Sequence, residues 1–148
     1  NPQITLGRVS RTVFLNEVLP STDIYLLPSY GDAFGFAILE AMSFGIPVIA
    51  TNYMAIPEMI DDGHTGLLID ISMYQCQEMF PGCYVNDLPL TFHRYVSGQL
   101  TEKVEKLLQS CSYRQQLGEA GYDKVKQKFS FEARNHKMEK ILEKHIIR

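Results

Sequence analysis

From residue 1 to about 70, short apolar runs alternate with segments of helical periodicity. That alternation is the pattern of βα units in a parallel sheet, and it leaves little room for another fold class. Strands are expected at Ile4–Leu6, Ile24–Leu27, Val48–Ala50 and Leu67–Ile69. Between them, Val13, Phe14, Val18 and Leu19 fall on one face of a helix over Arg11–Leu19. Phe36–Ser43 reads as a second helix, stopped by Gly45 and Pro47. A short third helix is expected near Pro57, because proline has no N–H to lose in a first turn.

The rhythm breaks at residues 71–99, where Met, Cys, Pro, Gly and aromatic residues follow no sustained period. An irregular excursion is expected there, of the kind that is usually functional or mobile. From Leu100 the pattern is helical again. Thr101 is placed to cap a helix carrying Val104, Leu107 and Leu108, a second helix carries Leu117, Ala120 and Val125, and Ser130 caps a last one with Met138, Ile141, Leu142 and His145. The expected fold is therefore α/β, a partial Rossmann-like parallel sheet flanked by helices with a helical C-terminus. It forms one domain over 1–148, with a βα core at 1–70, an irregular insertion at 71–99 and helices at 100–148.

Length and composition exclude several alternatives. With 148 residues, 45% of them hydrophobic, the chain is long enough for one domain with a sizeable core, and a second full domain does not fit. Residues 1–123 carry 6 basic and 14 acidic side chains, and residues 124–148 carry 8 and 3. The acidic body argues against nucleic acid as a partner. In the basic tail, Glu132, Glu139 and Glu143 are interleaved with the lysines, as on a solvated helix face. Cys76, Cys83 and Cys111 are odd in number and lack the C-x-x-C spacing, which disfavours a disulfide framework and a zinc site alike. Adding His93 to Cys76 and Cys83 still leaves a six-residue gap and no fourth ligand, so no metal is expected. Reduced thiols, and no apolar run near the roughly 20 residues of a membrane span, point to a soluble cytoplasmic setting, at most peripheral to a membrane. His64 sits between two glycines as a turn residue, and Tyr25, Tyr30 and Tyr53 are expected to pack rather than to stack on a ligand.

The stretch that carries chemistry runs from Pro28 to Met42, Pro-Ser-Tyr-Gly-Asp-Ala-Phe-Gly-Phe-Ala-Ile-Leu-Glu-Ala-Met. A strand ends at Pro28, a glycine-containing loop follows, and a helix opens near Phe36. Its first N–H groups lack intrahelical partners and form an anion site at the strand's C-terminal end. A diphosphate fits against the amides of Phe34, Gly35 and Phe36, with Gly35 expected to admit close approach. Glu40, one turn into the helix, suits two adjacent hydroxyls of a ribose. Asp32, in the loop, faces whatever hangs from the diphosphate. On spacing alone, the same two acids also describe a solvated loop acid and an ordinary helix acid.

The order of motifs resembles the C-terminal domain of family-four retaining glycosyltransferases of GT-B fold. Matching text is Leu27-Pro28-Ser29, the acid-x7-Glu motif from Asp32 to Glu40, Gly45-Ile46-Pro47-Val48-Ile49-Ala50-Thr51, Ile56-Pro57-Glu58, Asp62 through Leu68, Leu117 through Gly121, and Phe129 through Glu132. The resemblance implies transfer of a sugar, with retention, from a nucleotide-sugar, UDP- or GDP-linked, to a sugar, lipid-linked or other small acceptor. It implies no cofactor and no bound metal. Asp32 takes the catalytic first-acid place, Glu40 holds the ribose, the amides of Phe34, Gly35 and Phe36 touch phosphates and sugar, and Ile38 and Thr51 line the nucleotide site. An N-terminal half of the enzyme holds the acceptor. Two strands with a glycine-rich turn and an Arg/Lys pair normally precede the text matched here, so this stretch alone is expected to be inactive. A non-catalytic nucleotide- or phosphate-binding module of the same fold is the alternative. Two departures stand out: Asp32 replaces the usual Glu, retracting the carboxylate by roughly 1.5 Å, and Met54-Ala55 replaces a Gly-Gly pair.

Overall fold

The computed structural model describes residues 7–31, 34–74 and 88–146. The strand expected at Ile4–Leu6, the acid Asp32, and Cys76 and Cys83 lie outside the described residues.

The chain enters through one continuous helical stretch. Ser10 caps it, its Oγ accepting from Val13 N at 3.3 Å. A first α turn, α1 (Arg11–Val13), passes into a π turn at Phe14–Val18 and a 3-10 turn at Leu19–Ser21. As the spiral changes, its last carbonyls are taken up by hydroxyls: Ser21 Oγ donates to Glu17 O and Thr22 Oγ1 to Val18 O. Of the expected apolar face, Leu19 is buried and Phe14 packs beside it, but Val18 is exposed and Leu15 packs against the core instead.

Three parallel strands follow in the order β1 (Tyr25–Leu27), β2 (Val48–Thr51), β3 (Leu67–Ile69). Leu26 pairs with Ile49, and Ile49 with Leu67. Helix α2 (Phe36–Ser43) crosses from β1 to β2, and the short α3 (Ile56–Met59) lies between β2 and β3 with Pro57 in its first turn. Every residue of β2 is buried. Because side chains alternate along a strand, this strand serves two cores. Val48 and Ala50 join Leu19, Ile38, Met42, Ile56 and Met59 on one face. Ile49 joins Leu67, Ile69, Phe92, Leu107 and Leu117 on the other. The result is a partial Rossmann-like sheet covered on both faces.

The second core corrects one expectation. Helix α4 spans Leu90–Gln109, so its first half occupies part of the stretch expected to be irregular. Its buried stripe of Phe92, Val96 and Leu107 docks against β3 and keeps helical period throughout. Thr101 is not a cap but an interior residue whose hydroxyl donates to Ser97 O at 2.9 Å. Earlier in that stretch, Ser72–Tyr74 forms a 3-10 turn.

Helix α5 (Cys111–Lys128) begins at Ser110, whose Oγ accepts from Tyr113 N. It presses close to the N-terminal edge of the sheet. A Cβ at Gly118 would overlap the carbonyl oxygen of Gly45, and one at Gly121 would lie 3.1 Å from Thr65 O. Beside them the buried Lys124 pairs with Asp61 at 2.9 Å. That bond holds the Asp61 carboxyl below its ordinary value. Helix α6 (Phe131–Ile146) starts at the expected cap, Ser130, whose Oγ accepts from Ala133 N.

Candidate functional site

The loops after the three strands meet at the C-terminal edge of the sheet, where open α/β folds bind ligands. Their anchoring is polar. Thr51 is fully buried and its hydroxyl donates to Ser29 O, tying the end of β2 to the loop after β1. Ser29 Oγ in turn accepts from Gly31 N. Tyr30 closes the same loop against α4, edge-on to Phe92 with ring centroids 5.1 Å apart. After β2, Asn52 Nδ2 donates to Asp70 Oδ1 at 2.7 Å, and its Oδ1 accepts from Ile71 N at 2.8 Å. Asp70 also accepts from Ser72 N, and hydrogen bonds from Ser72 and Asn52 hold its carboxyl below the ordinary value. Sequence reasoning did not single out this Asn52–Asp70–Ser72 network. Its signal was two side-chain acceptors standing one residue beyond consecutive strands.

Helix α2 opens onto this edge. Its N-cap is Gly35, at φ 74° and ψ 48°, the left-handed region that glycine enters without penalty. The expectation that Gly35 clears space for a ligand needs correction. A Cβ there would point inward, 3.2 Å from Ile38 Cδ1 and 3.5 Å from Met59 Cε. Glycine serves the backbone turn and the tight packing beneath it. Phe36, the first helical residue, is 69% exposed and its ring lies 4.7 Å from that of Phe34. Within this first turn Ile38 N–H already donates to Gly35 O at 2.9 Å, and a helix start of this kind is the usual basis of an anion site.

Glu40 follows one turn later. Its side chain is 18% exposed and pairs through Oε1 with Arg11 Nη2 of α1. Ile38 and Thr51 are correctly placed in the fold but wrongly oriented for the role expected of them. Both are fully buried, so their side chains pack beneath the loops instead of lining the open edge. Met54 takes φ 49° with its side chain 55% exposed. A non-glycine residue thus holds the left-handed conformation at the place where the resembling family carries Gly-Gly. Tyr25 and Tyr30 pack as expected, against Phe14 and Phe92, and Tyr53 is buried. His64 occupies the turn before β3, its N–H donating to Asp61 O.

A profile of the family described as "Glycosyl transferases group 1" matches residues 3–75, which contain all of these loops. This segment belongs to that family. Among similar glycosyltransferases, a D-inositol 3-phosphate glycosyltransferase of Paenarthrobacter aurescens (strain TC1) is 44% identical over 50 residues, 34% of this chain and 12% of that protein. The C-terminal domain of a glycosyl transferase group 1 family protein (LpcC) from Francisella tularensis superposes with a TM-score of 0.62 at 25% identity, covering 85% of this chain and 53% of that one. Anabaena Alr3699/HepE, solved in complex with UDP-glucose, shares the fold with a TM-score of 0.63 at 19% identity, covering 86% and 29%. The chain thus spans about an eighth of the length of the curated glycosyltransferase relative.

Proposed function

We propose that this chain is the donor-binding part of a retaining glycosyltransferase, holding a nucleotide-sugar at the C-terminal edge of its sheet. The observation that carries the reading is the pairing of a helix start with an acid. Gly35 opens α2 at that edge, and the half-buried Glu40 lies one turn behind it. A diphosphate on the first-turn N–H groups places a ribose within reach of a carboxylate in that position. The UDP-glucose held by the Anabaena protein of like fold supports this ligand class.

On this reading Asp32 contacts sugar hydroxyls near the reacting carbon, and the sugar or lipid-linked acceptor is held by another part of the full-length protein. Transfer requires no metal, so activity survives chelation with EDTA.

Calorimetric titration of UDP-, GDP- and ADP-sugars into the full-length protein tests the reading. Glu40→Gln replaces a charge-assisted acceptor worth about 1.5–3 kcal/mol and should weaken donor binding accordingly. Unchanged affinity would remove Glu40 from the ribose role. Asp32→Asn should lower turnover more than donor affinity, because the carboxylate acts where charge develops. Donor binding without any transfer would mark a non-catalytic module instead.

A further inference from the structure

The ion pair between Arg11 and Glu40 has no evident purpose in the fold. It joins the first residue of α1 to the middle of α2, and the arginine is 74% exposed. Exposed pairs of this kind contribute little to stability. Arg11 also stands at the start of a helical stretch, where the unpaired N–H groups make the local field positive and disfavour a cation. No acid occupies that first α turn to offset it. Arg11 engages the Glu40 carboxylate, and the two helix residues that follow Glu40, Ala41 and Met42, are buried.

We propose that Arg11 is a positioning residue for the donor: by engaging Oε1 of Glu40 it fixes the carboxylate in the rotamer that receives the ribose hydroxyls. This rests on the reading of Glu40 as the ribose acceptor. A glutamate has three side-chain torsions, and ordering them on binding costs free energy. A guanidinium holding one carboxylate oxygen removes that cost in advance. Arg11 itself does not touch the nucleotide.

The test uses the full-length protein and three variants: Arg11→Ala, Glu40→Gln and the double substitution. The probe is whichever of UDP, GDP and ADP binds the unmodified protein, with its 2′,3′-dideoxy counterpart. Arg11→Ala should weaken nucleotide binding about five- to tenfold, the scale of one net hydrogen bond, with an unaltered melting temperature. In the Glu40→Gln background the same change should have no further effect, and against the dideoxy nucleotide it should have none either. A full-sized loss in either of those two settings would show that Arg11 contacts the ligand directly, and overturns the proposal. So does a less than twofold effect of Arg11→Ala when Glu40→Gln weakens binding, leaving the ribose reading intact. If Glu40→Gln changes nothing, or no nucleotide binds, the ribose reading falls and the proposal with it.

Discussion

The two ends of the sheet are built by opposite means. At the N-terminal edge, α5 lies almost on the backbone, with Gly118 against Gly45, Gly121 against Thr65, and a buried lysine bonded to Asp61. At the C-terminal edge the loops are held by side-chain hydrogen bonds among Ser29, Thr51, Asn52 and Asp70, while Phe36 and Met54 stay exposed. Close packing tolerates no added atom and fixes one arrangement. A hydrogen-bonded rim leaves surface available for a ligand and concentrates strain and polarity where binding happens.

The largest effect should follow from Gly118→Ala. The added methyl overlaps the Gly45 carbonyl oxygen in the loop after α2, and neither backbone segment can move aside without displacing α5 from α2. A loss of about 3 kcal/mol is expected in urea unfolding, whereas donor affinity of the remaining folded protein stays unchanged. If the variant melts like the parent, the packed edge is looser than described.

Next is Asp61→Asn, which strands Lys124 in a buried position with a weaker partner and should cost about 1–2 kcal/mol. Its pH dependence sharpens the assignment. A carboxyl held below its ordinary value stabilises the fold above that value, and the contribution is lost as pH falls through the folded pKa. Stability of the parent should therefore decline below about pH 4 more steeply than that of the variant, as followed by melting temperature. Parallel profiles would deny Asp61 the role.

At the opposite edge, Asn52→Ala removes the hydrogen bonds to Asp70 and Ile71 at an expected cost of about 1 kcal/mol, readable as a shift in the urea midpoint. Donor binding should weaken as well, which distinguishes this edge from the packed one. The smallest effect belongs to Met54→Gly, which relieves a left-handed conformation and should stabilise the protein by on the order of 0.5–1 kcal/mol. A loss of stability would mean that the exposed thioether packs usefully.

Much of this architecture was legible from residue order. Phe36–Ser43 is bounded in the text by Gly35 before it and by Gly45 and Pro47 after it, and the observed helix has those bounds. Helix α4 was hidden because its stripe of Phe92, Val96 and Leu107 is mixed with His93, Tyr95 and Gly98, and Pro89 stands at the N-cap where a hydroxyl or carboxamide would signal a start. Thr101 then looked like the missing cap. At the candidate site, residue type singled out Glu40 and Gly35 but said nothing of direction. Periodicity places Ile38 on α2 without saying that its side chain turns under Gly35, and the pairing of Arg11 with Glu40 is set by tertiary packing between separate helices. The positive φ of Met54 has no signature in a residue that rarely adopts it.

The double service of β2 carries a consequence for biosynthesis. A chain emerging from the ribosome meets its partners in order, and nearly all of the core around Val48 and Ala50 is supplied by residues up to Ile60. The face bearing Ile49 waits for Phe92, Val96, Leu107 and Leu117. During translation, one side of the central strand is therefore shielded early while the other stays bare until α5 has been made. A stall between those points leaves an apolar sheet face uncovered, the kind of surface that recruits chaperones.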